Sequence, residues 1–267
     1  MSKIFKNFTE NLPWEEKAKI NPLFAVMSEE KFRDSTSDLS EEEILSFYKQ
    51  GERMVKKWIV PWLNSEYQLG QRPNVSDLNI LEFGCGMGRL LNGLKMSTNI
   101  NHLFGIDISR TMIELAEKNT IGIKYDISKS DLFPYNDNTF DRIYSYAVFQ
   151  HILSKSSILK SISEIARVLK IGGRILIQFL MIAPPPPNNT SLKDSYAFEK
   201  AYIYYGFHKR YKIPYFNYNK ANNWQGNRLG YNQLFRHFKI NGIKIYGTKC
   251  ESIHRENMVW FYGEKVF

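Results

Sequence analysis

The chain has 267 residues and a formal net charge of +9, with 43% hydrophobic and 24% charged residues; this is enough apolar material for a packed core and excludes a disordered chain. No apolar run approaches the roughly 20 residues of a membrane span, and the opening MSKIFKNFTENLPWEEK lacks the apolar stretch of a secretory signal, so no membrane partner and a cytoplasmic location are expected. The two cysteines, Cys85 and Cys250, stand in no CxxC or Cys/His cluster, so neither a disulfide framework nor a metal is expected.

In chain order, Ser40 followed by Glu41, Glu42 and Glu43 reads as a capped helix start. Ile44, Phe47, Tyr48, Met54, Val55 and Trp58 recur at roughly helical spacing until Pro61. Residues 1–77 are therefore expected to form a helical N-terminal cap, with 70–77 (GQRPNVSD) as a linker. From residue 78 short apolar runs alternate with helical periodicity, the mark of βαβ units and a parallel sheet. Strands are predicted at 78–83, 102–107, 121–126, 139–146 and 173–182, and helices at 88–96, 109–119 and 155–170. Ser109 is the expected N-cap of the second helix and Gly172 the stop of the third. Four prolines at 184–187 then open a Tyr/Asn/Lys-rich insertion over 183–230. A helix at 231–238 and strands at 241–249 and 257–265 complete a seven-stranded, mostly parallel, doubly wound α/β sheet in a domain over 78–267.

Charge is unevenly placed along this order. Residues 1–77 carry 11 Lys/Arg against 13 Asp/Glu, residues 78–182 carry 12 against 9, and residues 183–267 carry 13 against 5. The insertion alone holds seven Lys/Arg against Asp194 and Glu199, interleaved with seven tyrosines. Its aromatic content is enough to bury substantial area, so an ordered segment is expected there.

The strongest motif is Leu81-Glu82-Phe83-Gly84-Cys85-Gly86-Met87-Gly88-Arg89. A strand runs into alternate glycines and then a helix, which permits close backbone approach to a ligand and presents free N–H groups. The dinucleotide fingerprint GxGxxG wants its third glycine where Arg89 stands, so a nicotinamide enzyme is disfavoured. GxGxG preceded by Glu82 suits a ligand with a cationic amino-acid end. Asp107 closes the next strand about 20 residues on, where a carboxylate accepts from both hydroxyls of a ribose.

From here the chain resembles the class I (Rossmann-like) S-adenosylmethionine-dependent methyltransferases. LEFGCGMGR resembles their motif I, Asp107 their ribose-binding acid, and Asp126 the acid near the adenine amino group. Pro134 to Asp141 resembles the approach to the fourth strand, and Glu164 to Lys170 with Gly172 and Gly173 the passage into the fifth. More loosely, Asn21 to Val26 and Phe47 to Glu52 resemble the lid of members with a helical N-terminus. Trp224-Gln225-Gly226 and Trp260 to Lys265 resemble their C-terminal part. The resemblance implies S-adenosylmethionine as cofactor, held by Glu82, Gly84, Cys85, Gly86, Gly88, Arg89, Asp107, Ile108, Asp126, Ile127, Tyr146 and Ala147.

Two departures narrow the chemistry. The Asn/Asp-Pro-Pro-Tyr box of amino-methylating nucleic-acid enzymes is absent, since the fourth strand ends in Tyr144-Ser145-Tyr146-Ala147, and no cysteine nucleophile stands there. The acceptor is then attacked directly through oxygen or nitrogen. His151, just after this strand, is the candidate general base; the alternative is a histidine that only packs at a helix start. Tyr48 and Gln150 are candidate positioning groups. The resemblance sets the insertion beside the cleft, with Tyr205, Lys209, Arg210 and Trp224 as candidate acceptor contacts. The expected reaction is O-methylation of a small, anionic, sugar-like acceptor, as in carbohydrate biosynthesis. RNA methylation, N-methylation of a small amine, and cofactor binding without catalysis are the alternatives.

Overall fold

The protein is described by a computed structural model over residues 12–27, 38–65, 74–128, 132–181, 229–253 and 256–267. The apolar runs of the sequence become β1 (Asn79–Phe83), β2 (His102–Asp107), β3 (Lys124–Ile127), β4 (Phe140–Ser145), β5 (Leu169–Met181), β6 (Ile243–Ile253) and β7 (Glu256–Lys265). They form one sheet in the order β3-β2-β1-β4-β5-β7-β6. Pairs among β1 to β5 are parallel, and β7 runs antiparallel between β5 and β6. The chain steps outward from β1 to β3, then crosses back to β4. The carboxyl ends of β1 and β4 therefore flank a crevice, the place where open α/β sheets bind ligands.

Helices cover both faces. On one, α7 (Lys155–Val168) and α8 (Tyr231–Ile240) bury Ile158, Ile162, Ile165 and Phe238 against Leu81, Ile143, Ile177 and Phe179; each large apolar side chain contributes about 1.5–3 kcal/mol by leaving water. On the other, α5 (Arg89–Ser97) and α6 (Arg110–Asn119) supply Leu90, Leu91, Leu94 and Ile113. They pack there with Val55, Trp58, Ile59 and Trp62 from the N-terminal segment. That segment, comprising α1 (Trp14–Ile20), α2 (Pro22–Met27), α3 (Glu41–Met54) and α4 (Val60–Leu63), thus supplies a core layer as well as a cover. Among the described residues no helix is long and apolar enough to cross a membrane.

The capping box at Ser40 is present, with Ser40 N–H donating to Glu43 at 2.9 Å and Glu43 N–H to Ser40 Oγ at 3.3 Å. The expected stop at Pro61 is corrected. A π-helical turn over Val55–Ile59 lets Val60 N–H reach back to Val55 O, and Pro61 then sits in the first turn of α4, where no N–H is required. Gly172 is likewise not the stop of α7, because Leu169 is already extended. Gly172, at φ +77°, lies instead in a bulge of β5 between the Phe140–Leu169 and Arg142–Arg174 pairs. β3 begins later than residue 121, since Gly122 turns at φ +72° and Ile121 faces solvent.

The Glu164 to Lys170 run has a concrete task. Glu164 accepts the Phe133 N–H at 2.9 Å, and Arg167 donates to Phe133 O at 3.2 Å, Tyr135 O at 2.9 Å and Asp137 at 2.7 Å. The loop before β4 is thereby clamped to α7. Of the expected insertion only Leu229 and Gly230 are described; Tyr205, Lys209, Arg210 and Trp224 lie outside the described residues. Leu229 forms a bridge with Met181, so the chain re-enters beside the end of β5.

Candidate functional site

β1 ends at Phe83, and the chain turns through Gly84 at φ +75° to Gly88 at φ +73°, the N-cap of α5. A side chain at Gly84 would strike Val148, and one at Gly88 the Tyr125 hydroxyl, so both backbone geometry and room demand glycine. The turn is tied to β2 by Gly84 N–H and Cys85 N–H, which donate to Ile106 O at 2.8 and 3.0 Å. Gly86 N–H donates to the Asp107 carboxylate at 2.9 Å, and Ser109 N–H to its other oxygen at 2.9 Å. Asp107 lines a cavity, and carboxylate oxygens can each accept more than one hydrogen bond, as a diol requires. Burial raises the Asp107 pKa, and those backbone donors oppose the rise.

Glu82 is only 3% exposed, and its carboxylate accepts from Tyr144 OH at 3.1 Å. Burial pushes its pKa up to about 8 against the pull of Tyr144 and the Arg89 guanidinium. A buried carboxyl held in this state is stabilised as an anion by an arriving cation. Arg89, at the start of α5, donates to Gln50 at 2.7 Å and lies over the Phe47 ring, which locks the glycine turn to α3.

These groups wall a cavity of about 530 Å³. It is lined by Glu82, Gly84, Cys85, Gly86 and Arg89 from the end of β1 and the glycine turn, by Asp107, Ile108 and Met112 from the end of β2 and the start of α6, and by Tyr146, Ala147 and His151 from the segment after β4. Ala147 adopts φ +58° and donates its N–H to Gln178 at 3.3 Å. Tyr146 stacks on Trp260, which stacks on Trp58. The roof comes from the N-terminal segment: Pro13, Trp14, Glu15, Ala25 and Val26. Glu15 accepts from Ser109 Oγ at 2.7 Å, Thr111 N–H at 3.2 Å and Thr111 Oγ1 at 2.7 Å. Burial alone would raise its pKa, but these donors outweigh it and leave Glu15 below the ordinary value. The lid thus docks on the N-terminus of α6, two residues from Asp107. On the other side the Trp14 ring meets the His151 ring edge-on at 4.9 Å.

The remaining candidates sit elsewhere. Gly88 shapes the turn without lining the cavity. Asp126 and Ile127 do not line it either, and Asp126 accepts from Tyr135 OH at 3.0 Å. Tyr48 donates to Met87 O at 2.8 Å, and burial raises its pKa, which makes it a strut beneath the glycine turn. Gln150 Nε2 lies 3.0 Å from His151 Nε2, outside the cavity wall. Sequence reasoning missed Trp14 and Glu15, whose link to Ser109 spans 94 residues with no local signal. It also missed Ser128, Ser154, Ser157 and Ser161, all on the cavity wall.

The donor set fits a ligand with an amino-acid cation and a ribose: one buried carboxyl beside the glycine turn, and one carboxylate prepared for a diol. Comparison with known proteins agrees. Residues 81–177 match the family model described as a methyltransferase domain. A phosphoethanolamine N-methyltransferase of Triticum aestivum is 32% identical over 114 residues, 41% of this chain and 22% of that protein. A probable tRNA methyltransferase 9B of Bos taurus is 32% identical over 98 residues, 37% of this chain and 20% of that protein. The chain therefore spans about a fifth of the length of these relatives. Among solved structures, magnesium protoporphyrin IX methyltransferase (ChlM) from Synechocystis PCC 6803 with bound SAM superposes with a TM-score of 0.54 at 15% identity, covering 95% of this chain and 98% of that one. Residues 81–177 of this chain are accordingly a methyltransferase domain, in the Rossmann-like fold of the class I, S-adenosylmethionine-dependent methyltransferases.

Proposed function

We propose that this chain transfers the methyl group of S-adenosylmethionine to an oxygen of a small, anionic, sugar-like acceptor. The observation that carries the reading is one roofed cavity joining Glu82 and Asp107 to His151 beneath Trp14. When bound, the cofactor supplies an electrophilic methyl group on a cationic sulfur. Glu82 is suited to the amino-acid cation and Asp107 to the ribose diol. Tyr146, braced by Trp260, and the Ala147 backbone form the wall between these carboxylates and His151.

His151 is the group placed to take the acceptor proton. Gln150 Nε2 can only donate, so it meets the His151 Nε2 lone pair. Rotation of the Gln150 side chain away from the ring would free that nitrogen for proton transfer. Beyond this base, rate enhancement comes from holding donor and acceptor in line and from excluding water under the lid. The basic excess of residues 183–267 favours a negatively charged acceptor through its field, and the wheat relative, named for phosphoethanolamine, supports a small charged one. The same relative favours a second reading, in which an amine nitrogen is methylated.

The test is incubation of the full chain with methyl-labelled cofactor and a cell extract that holds both small molecules and RNA. The labelled product is identified by mass and by the carbon shift of its methyl group, which separates O–CH3 from N–CH3. A labelled anionic O-methyl compound is expected. Label found only in RNA, or no transfer at all, overturns the reading.

A further inference from the structure

We infer that Gln178, on β5, is a positioning residue for methyl transfer: its side-chain oxygen holds the turn after β4 in the strained shape that carries Ala147 and His151 on the cavity wall. The inference rests on the transfer reading above and adds the group that sets its base in place. Three observations carry it. First, among the described residues only Asn138 and Ala147 combine a side chain with a positive φ, and of the two only Ala147, at φ +58°, lines the cavity. Asparagine tolerates that left-handed conformation, whereas in alanine it sets Cβ against the following carbonyl. The turn therefore needs a hold from its surroundings. Second, Gln178 supplies one. β4 leaves its ladder with β5 after the Ser145–Ile177 pair, and the Ala147 N–H donates instead to Gln178 Oε1 at 3.3 Å. The turn passes this tie on. His151 N–H donates to Val148 O at 2.8 Å, and Val148 fills the room that the missing side chain of Gly84 leaves. Gln178 does not line the cavity, so it acts through these residues.

Third, that bond accounts for a polar residue in an otherwise apolar stretch, Ile175 to Met181. Gln178 is 1% exposed, and its Nε2 has no hydrogen-bond partner among the described residues. Strand alternation puts it on the face of Leu176. Trp260 stands opposite it on β7, stacked on Tyr146 with ring centroids 5.5 Å apart. In that setting an unpaired amide nitrogen is costly, and a leucine or methionine would fill the space without the loss. The Ala147 N–H needs an oxygen, which fixes the way the amide lies and leaves its nitrogen stranded. Oε1 is what this glutamine contributes.

The test compares the native chain with Gln178→Met, which keeps the length of the side chain and removes the oxygen, and with Gln178→Met/Ala147→Gly. Glycine adopts positive φ without strain, so it needs no hold. In the ligand-free protein the His151 imidazole resonance, assigned by its absence in His151→Ala, should shift in Gln178→Met and return toward its native place in the double variant. Label transfer from saturating methyl-labelled S-adenosylmethionine into a cell extract should fall about three- to tenfold in Gln178→Met, the loss of one hydrogen bond, and recover in the double variant. Affinity for S-adenosylhomocysteine, read by calorimetry, should stay within about twofold throughout, because Glu82 and Asp107 are untouched. An unmoved His151 resonance, native transfer in Gln178→Met, or no recovery with glycine overturns the inference and leaves the transfer reading in place. Loss of S-adenosylhomocysteine binding in step with transfer would make Gln178 a prop of the fold alone, which also overturns it. A native chain that transfers no label overturns both.

Discussion

Replacing Glu82 by glutamine removes an ionisation at nearly constant shape, and the Tyr144 hydroxyl can still donate to the amide oxygen. In the folded chain burial raises this carboxyl from the ordinary value of 4.5 to about 8. Between those values the folded state binds a proton that the unfolded state has released. Stability of the native chain therefore falls as pH rises from about 4.5, and levels off above about 8. At pH 7 the loss amounts to roughly 3 kcal/mol. Glu82→Gln escapes it, so without ligand its advantage over the native chain should be absent near pH 4.5 and grow to roughly 3 kcal/mol at pH 7. Any fixed penalty from burying the amide cancels when the difference is compared between pH values. Urea unfolding of both proteins at pH 5 and pH 8 reads this directly. The same variant should bind S-adenosylhomocysteine at least about tenfold more weakly, because a charge-assisted hydrogen bond is lost. A stability difference that is the same at pH 5 and pH 8 would refute the argument that Glu82 is held protonated by burial.

Glu15→Ala strips the lid of its three bonds to Ser109 and Thr111; the change should cost about 1–2 kcal/mol and speed ligand release more than it alters global unfolding, as stopped-flow dissociation and urea titration would show. Should release stay as slow as in the native chain, the lid is not held by Glu15. For His151→Ala the expected outcome is a kcat roughly 10²–10⁴-fold lower with cofactor affinity retained. Near-native turnover would make His151 a packing partner of Trp14 and leave methyl transfer to positioning alone.

Much of the fold was readable because its signals are local. The alternation of short apolar runs with amphipathic helices marks βαβ units, and Ser40 and Ser109 mark helix starts that the structure contains. The errors fall where tertiary geometry overrides a local rule. Pro61 looked like a stop, yet the π turn at Val55–Ile59 absorbs it; Gly172 looked like a cap, yet it bends β5. In the cavity, Glu82, the glycine turn, Asp107 and His151 were legible because they stand at or just past the carboxyl ends of the parallel strands, which gather them. Glu15 and Trp14 were not, since nothing near them in the sequence encodes partners as distant as Ser109, 94 residues from Glu15, or His151. Ser157 and Ser161 carry the helical spacing in plain view, but serine on a helix reads as solvent-facing until the wall behind it is known.

The central claim is that the cavity between the glycine turn and the Trp14 lid binds S-adenosylmethionine through Glu82 and Asp107. Calorimetric titration of the full chain with S-adenosylmethionine, its demethylated product and NAD tests it most directly. Binding of the first two but not of NAD is predicted, and Asp107→Ala should weaken that binding by about 1–3 kcal/mol. Tight binding of NAD, or an affinity untouched by Asp107→Ala, would contradict the account.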